Sequence, residues 1–141
     1  MEADAGDSDL TVLVVEDYDS ARKAFCLIVR SCGAAALGAS NGEEALRLAA
    51  ASRPDVVFCD IRLPGGIDGF QVLERLHAIH DLRDVPVIAM SGVGSSVELE
   101  QVVAAGFDAH LMKPVTSDVI EAHLRRIRDR IANESADGLR P

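Results

Sequence analysis

Short apolar runs alternate with stretches of helical periodicity along this chain, and that alternation narrows the possible folds more than any other feature. Leu10-Thr11-Val12-Leu13-Val14-Val15, Val56-Val57-Phe58-Cys59, Val87-Ile88-Ala89-Met90 and Ala109-His110-Leu111-Met112 read as buried strands. Between them, residues 20–30 place Ala21, Ala24, Phe25 and Ile28 on one helical face. Residues 69–80 do the same with Val72, Leu73, Leu76 and Ile79, and a last helix from about Ser117 with Val119, Ile120, Leu124, Ile127 and Ile131. Asn41-Gly42-Glu43-Glu44 supplies an N-cap with a glutamate three residues on, opening a helix to about Ala51. Ser95 and Glu98 repeat that pattern before a helix that stops at Gly106. The second strand, 34–39, is rich in alanine and glycine, poor strand formers, and is placed mainly by its neighbours. Strand–helix alternation of this kind predicts an α/β fold: a (βα)5 doubly wound, three-layer sandwich with a parallel five-stranded sheet. Residues 1–9 read as a disordered acidic lead-in, 10–133 as a single domain and 134–141 as a tail.

The 141 residues are 48% apolar, enough for a full core without disulfides or metal, and at 4% aromatic that core is built of Val, Leu, Ile and Ala. A net charge of −9 argues against sequence-independent binding of nucleic acid, which needs Lys and Arg facing phosphates. Cys26 and Cys32 flank a helix end and Cys59 lies in a strand; none has metal-ligand spacing, which suits a reduced, cytoplasmic setting. Strand alternation turns Cys59 away from its neighbour Asp60. The N-terminus lacks the apolar core of a signal peptide, and no apolar stretch approaches the roughly 18 residues needed to span a bilayer.

Four of the predicted strands end in groups that can do chemistry. Glu16-Asp17 follow the first, Asp60 ends the third, Ser91 follows the fourth and Lys113 the fifth. Open parallel sheets bind and react at the carboxyl ends of their strands, so these groups are expected at one edge. Aspartate is a competent nucleophile towards a phosphoryl group, giving an acyl phosphate. Its approach to an anion needs positive charge. A hard cation, Mg²⁺ with Mn²⁺ as a substitute, can bridge carboxylates and phosphoryl oxygens, while Lys113 and the Ser91 hydroxyl can take further oxygens. Each element alone is weak; all four in this order point to phosphoryl transfer.

The segments Val-Val-Glu-Asp (14–17), Pro-Asp-Val-Val-Phe-Cys-Asp-Ile-Arg-Leu-Pro (54–64), Asp-Gly-Phe (68–70), Val-Pro-Val-Ile-Ala-Met-Ser-Gly (85–92) and Gly-Phe-Asp-Ala-His-Leu-Met-Lys-Pro (106–114) resemble the receiver domain of bacterial two-component response regulators. The resemblance runs from residue 10 to about 131. It implies a flavodoxin-like strand order of 2-1-3-4-5. Asp60 would accept a phosphoryl group from a sensor histidine kinase or a histidine phosphotransfer protein. Asp17, Asp60 and the Arg62 backbone carbonyl would hold Mg²⁺, with Glu16 acting directly or through water. Ser91 and Lys113 would contact the phosphoryl group, and the Lys113-Pro114 bond is expected to be cis. Such a protein catalyses its own phosphorylation and dephosphorylation and signals through the face formed by its fourth helix, fifth strand and fifth helix. No nucleic-acid or membrane contact is expected, and dimerisation is left open.

The chain departs from the family at three places. Gly65-Gly66-Ile67 makes the loop between Pro64 and Asp68-Gly69 one residue longer than the commonest spacing, so a reshaped loop is expected. His110 stands where the family carries Tyr or Phe, in the version found in some receivers of hybrid kinases. Because a buried imidazole needs partners for its nitrogens, it is expected to face outward towards a partner; rotation inward as a switch with Ser91 is the alternative. Arg62 and Val93, each two residues past a site residue, tune the acyl phosphate's lifetime in this family, and slow self-hydrolysis is expected. Arg125, Arg126, Arg128 and Arg130 make the last helix locally basic, most simply as a solvated face. Two other readings compete. One is a pseudo-receiver that docks partners without phosphorylation, against which the full set of Asp17, Asp60, Ser91 and Lys113 speaks. The other is an aspartyl-phosphate phosphatase, which would place a second acid where this chain has Arg62. A flavodoxin is disfavoured because no Ser/Thr-rich phosphate loop follows the first strand.

Overall fold

Five parallel strands form one sheet in the order β2-β1-β3-β4-β5, with β1 at Thr11–Val15, β2 at Ala35–Ala39, β3 at Val56–Asp60, β4 at Val87–Ser91 and β5 at Ala109–Met112. The computed structural model describes residues 9–92 and 99–138. The connecting helices are α1 (Asp19–Ser31), α2 (Gly42–Ser52), α3 (Gly69–His77), α4 (Leu99–Ala105) and α5 (Ser117–Gly138), with a 3₁₀ turn at His80–Leu82. The predicted flavodoxin-like α/β architecture is therefore the one observed.

The two faces of the sheet carry two separate cores because strand side chains alternate. Leu13, Val15, Val57, Cys59, Val87 and Ala89 pack with Ala45, Ala49, Val72, Leu73, Leu76 and Val102 of α2, α3 and α4. Val12, Val14, Val56, Phe58, Ile88 and Met90 pack with Phe25, Val29, Ile120, Leu124 and Ile127 of α1 and α5. The three inner strands are apolar on both faces, as a covered parallel sheet requires, and each fully buried Val, Leu or Ile contributes about 1.5–3 kcal/mol. The alanine-rich β2 forms on the edge, paired with β1 from Thr11↔Ala35 to Val15↔Ala39.

Three helices differ from expectation, α3 by ending at His77 ahead of the separate 3₁₀ turn. On α1 the buried residues are Phe25, Cys26 and Val29, while Ala21 and Ala24 are exposed and Ile28 is half-buried. The anticipated apolar face instead lines an open groove of about 390 Å³ with Met90, Pro114, Val115 and Ile120. Helix α5 continues to Gly138, past the expected start of the tail, because nothing between 133 and 137 breaks a helix. Asp9, counted in the lead-in, is fixed by an ion pair with Arg128 at 3.1 Å. The basic residues of α5 are engaged at its surface, Arg125 with Glu121 and Arg130 with Asp108. The anticipated Ser95–Glu98 cap and Val93 lie outside the described residues. At α2 the predicted N-cap is present: Asn41 Oδ1 accepts from the Glu44 amide at 2.8 Å, and Glu44 reaches back to the Ser40 amide at 2.7 Å.

Candidate functional site

Strand register alone sets out the site as a staircase. Val15 pairs with Cys59, so Glu16 emerges level with Asp60; Asp60 pairs with Met90, so Ser91 lies one step on; Ser91 pairs with Met112, so Lys113 lies one step further. Backbone bonds extend the ladder past the strands, from Glu16 N to Ala39 O at 3.0 Å and from Lys113 N to Ser91 O at 2.8 Å. Residues far apart in sequence thus meet at one edge.

The floor is buried and polar. Glu16, Asp60 and Ser91 are 4%, 6% and 3% exposed, and they are the buried polar residues among those described. Lys113 Nζ contacts both Glu16 Oε1 and Asp60 Oδ2 at 2.5 Å. The second oxygen of Asp60 accepts from the Arg62 amide at 3.1 Å, and that of Glu16 from the Tyr18 amide at 3.2 Å. Burial would by itself depress the Lys113 pKa, but hydrogen bonds and charge from Asp60 and Glu16 outweigh it and hold the ammonium above its ordinary value. Asp17 is exposed at the rim. Oxygens of Glu16, Asp17 and Asp60 lie within 4.8 Å of one another. Three carboxylates against one ammonium leave two negative charges, which one divalent cation would balance. An all-oxygen cluster of this size fits a hard cation such as Mg²⁺.

Glycines allow the loops to close over this floor. A Cβ on Gly69 would fall 2.5 Å from the Asp60 carbonyl oxygen and 2.6 Å from Ile61 Cα, so only glycine lets α3 start against the end of β3. The lengthened loop is built around Gly65 at φ +95 and tucks Ile67 into the core against Gly42. Arg62 itself is exposed. The Lys113–Pro114 bond is cis, as expected.

His110 does not face outward. Its Nε2 lies 2.6 Å from Ser91 Oγ and the ring is half-buried. The serine hydroxyl supplies the partner without which burial of the imidazole would be costly. Cys59 is fully buried with its thiol pKa pushed up by that burial and then by the Asp60 charge, and it lies on the α2–α3 side of the sheet. One residue that sequence reasoning passed over is Arg22, whose guanidinium donates to the Glu16 carbonyl oxygen at 2.9 Å. Because that acceptor is a backbone oxygen, no sequence signal marks the contact.

Similarity to known proteins spans the stretch that carries these residues. A family model described as the response regulator receiver domain matches residues 12–125. The transcriptional regulatory protein AfsQ1 of Streptomyces coelicolor is 32% identical over 127 residues, covering 90% of this chain and 55% of that protein. The polar-differentiation response regulator DivK of Brucella anthropi is 33% identical over 106 residues, covering 75% of this chain and 85% of DivK. This chain therefore spans about half the length of AfsQ1 and most of DivK. Among solved structures, the chemotaxis protein CheY4 of Vibrio cholerae superposes with a TM-score of 0.75 at 26% identity, covering 84% of this chain and 98% of CheY4.

Proposed function

The chain belongs to the response regulator receiver family of two-component signalling, and from that premise we propose that Asp60 accepts a phosphoryl group in a Mg²⁺-dependent reaction. The observation that carries the reading is the buried carboxylate of Asp60, held between Lys113 and the Arg62 amide beside Glu16 and Asp17. Glu16, Asp17, Asp60 and the Arg62 carbonyl would hold the cation, whose charge would offset that of the incoming phosphoryl oxygens. An Asp60 oxygen attacks phosphorus, the P–N bond of a phosphohistidine breaks, and its electron pair stays on the imidazole nitrogen. Lys113 leaves Asp60 for a phosphoryl oxygen, and the Ser91 hydroxyl donates to another. Hydrolysis by water cleaves the new O–P bond and returns the Asp60 carboxylate.

The donor fits a histidine kinase or phosphotransfer protein, because the apolar groove along α1 opens beside Glu16 and Lys113. On the output side, Ser91 and His110 form the switch: a hydroxyl drawn to the phosphoryl group must loosen its bond to the imidazole. That change biases one arrangement of the α4–β5–α5 face over another. Leu99, Val103, Met112 and Val119 are large exposed apolar side chains on those three elements, suited to a protein target.

The test is incubation of the full chain with a small-molecule phosphoanhydride donor and Mg²⁺, followed by peptide mapping. Labelling at Asp60, lost with EDTA and in Asp60→Asn, is the expected result. Folded wild-type protein that takes no label would favour a docking module without phosphoryl chemistry.

A further inference from the structure

Asp17 is the exposed carboxylate of the cluster. Among the described residues its side chain accepts no hydrogen bond, whereas Glu16 and Asp60 each have two partners. What fixes the backbone on either side of it is Arg22. Its Nη1 donates to the oxygen of the Glu16–Asp17 peptide at 2.9 Å, and its Nη2 to Asp19 Oδ1 at 2.6 Å. The Arg22 amide also donates to the Tyr18 carbonyl at 2.9 Å. The stem of Arg22 lies across Gly38 of β2, where a Cβ would stand 3.1 Å from Cγ and Cδ, so the absence of a side chain on β2 leaves the path open. The guanidinium side chain is only 17% exposed. A planar fork that spans two acceptors gives geometric restraint as well as attraction.

We infer that Arg22 is a positioning residue for the divalent cation: by clamping the Glu16–Asp17 peptide through its oxygen, it aims the Asp17 carboxylate at Glu16 and Asp60 before the ion arrives. A ligand ordered in advance loses less freedom on binding, so affinity rises. The inference rests on the reading of the acidic cluster as a Mg²⁺ site. Its sign is distinctive. Arg22 is a cation near a cation site, so charge alone says that neutralising it should tighten Mg²⁺ binding. Positioning says the reverse.

The experiment titrates wild type, Arg22→Met and Arg22→Lys with MgCl₂, by calorimetry and by the emission of Tyr18, the sole tyrosine in a chain without tryptophan. Methionine keeps an alkyl stem over Gly38 and removes the fork. The expected result is a Kd about tenfold weaker for Arg22→Met, equivalent to about 1.4 kcal/mol. Arg22→Lys, with charge but no fork, should fall between the two at roughly threefold weaker. In donor labelling, the Mg²⁺ needed for half-maximal rate should rise while the rate at saturating Mg²⁺ stays near wild type. An Arg22→Met affinity equal to or tighter than wild type overturns the inference. If Arg22→Met does not fold, Arg22→Lys carries the test, and unchanged affinity there overturns it equally. Wild-type protein that binds no Mg²⁺ overturns the underlying site reading itself, which separates the two failures.

Discussion

Replacing Lys113 by methionine should destabilise the metal-free protein in a way that Mg²⁺ reverses. The lysine is the cation in contact with Glu16 and Asp60, whose side chains are only 5% and 8% exposed. Without it, two buried carboxylates face each other. Removing one partner of a fully buried ion pair costs about 3–5 kcal/mol. Lys113 is itself 28% exposed, so solvent screens part of that loss and we expect about 2 kcal/mol near neutral pH. Urea unfolding in EDTA measures it directly. Saturating Mg²⁺ restores positive charge to the cluster, so it should stabilise Lys113→Met more than wild type; at a hundred times Kd the wild-type gain is about 2.7 kcal/mol. In wild type the Lys113 pKa is raised, so its contribution is complete below the ordinary value of 10.5 and is lost as pH climbs through the folded value. A deficit that is the same in EDTA and in Mg²⁺ would refute this electrostatic account and leave only lost packing.

Gly69→Ala should lower stability by about 1–3 kcal/mol, since its Cβ would sit 2.5 Å from the Asp60 carbonyl oxygen; an unchanged urea midpoint would contradict the close approach. Asn41→Ala should cost about 1 kcal/mol through the lost cap on the Glu44 amide, read from the same curves. The Glu44 carboxyl is held below its ordinary value, first by the Ser40 amide. Its contribution is thus present above 4.5 and lost as pH falls through the lowered folded value. The stability difference between wild type and Glu44→Gln should close over that acid window. Native protein should be alkylated at half-buried Cys32 well before Cys26 and Cys59, which become reactive only on unfolding; early modification of Cys59 would contradict the packing of β3.

The sequence made the strand ends legible because each apolar run stops at a polar or charged group, and parallel strands necessarily gather those ends on one edge. Even the weak β2 was placed correctly, since its neighbours require a partner beside β1. The face of α1 is legible only in part: Phe25 is buried and Ile28 packs against the core, while Ala21 and Ala24 are exposed. Ala21, Ala24 and Ile28 follow helical spacing as well as the buried set does, and only the packing of α5 and the Lys113–Pro114 turn shows which residues line a groove. His110 was expected outward because the cost of burying an imidazole is visible in sequence while the hydroxyl that satisfies it, nineteen residues away, is not. The longer loop has an anchor that is equally nonlocal, since Ile67 lodges against Gly42 on another helix. Arg22 went unnoticed because its acceptor is a backbone oxygen, and backbone acceptors leave no mark in a sequence.

A crystal structure of the full chain with Mg²⁺ and a trifluoroberyllate phosphoryl mimic tests the central claim most directly. The account predicts the mimic on Asp60, the ion on Asp17, Asp60 and the Arg62 carbonyl with Glu16 bound directly or through water, Lys113 moved onto the mimic and the Ser91 hydroxyl turned to it. An ion bound elsewhere, or Lys113 still paired with Asp60 under full occupancy, would contradict it.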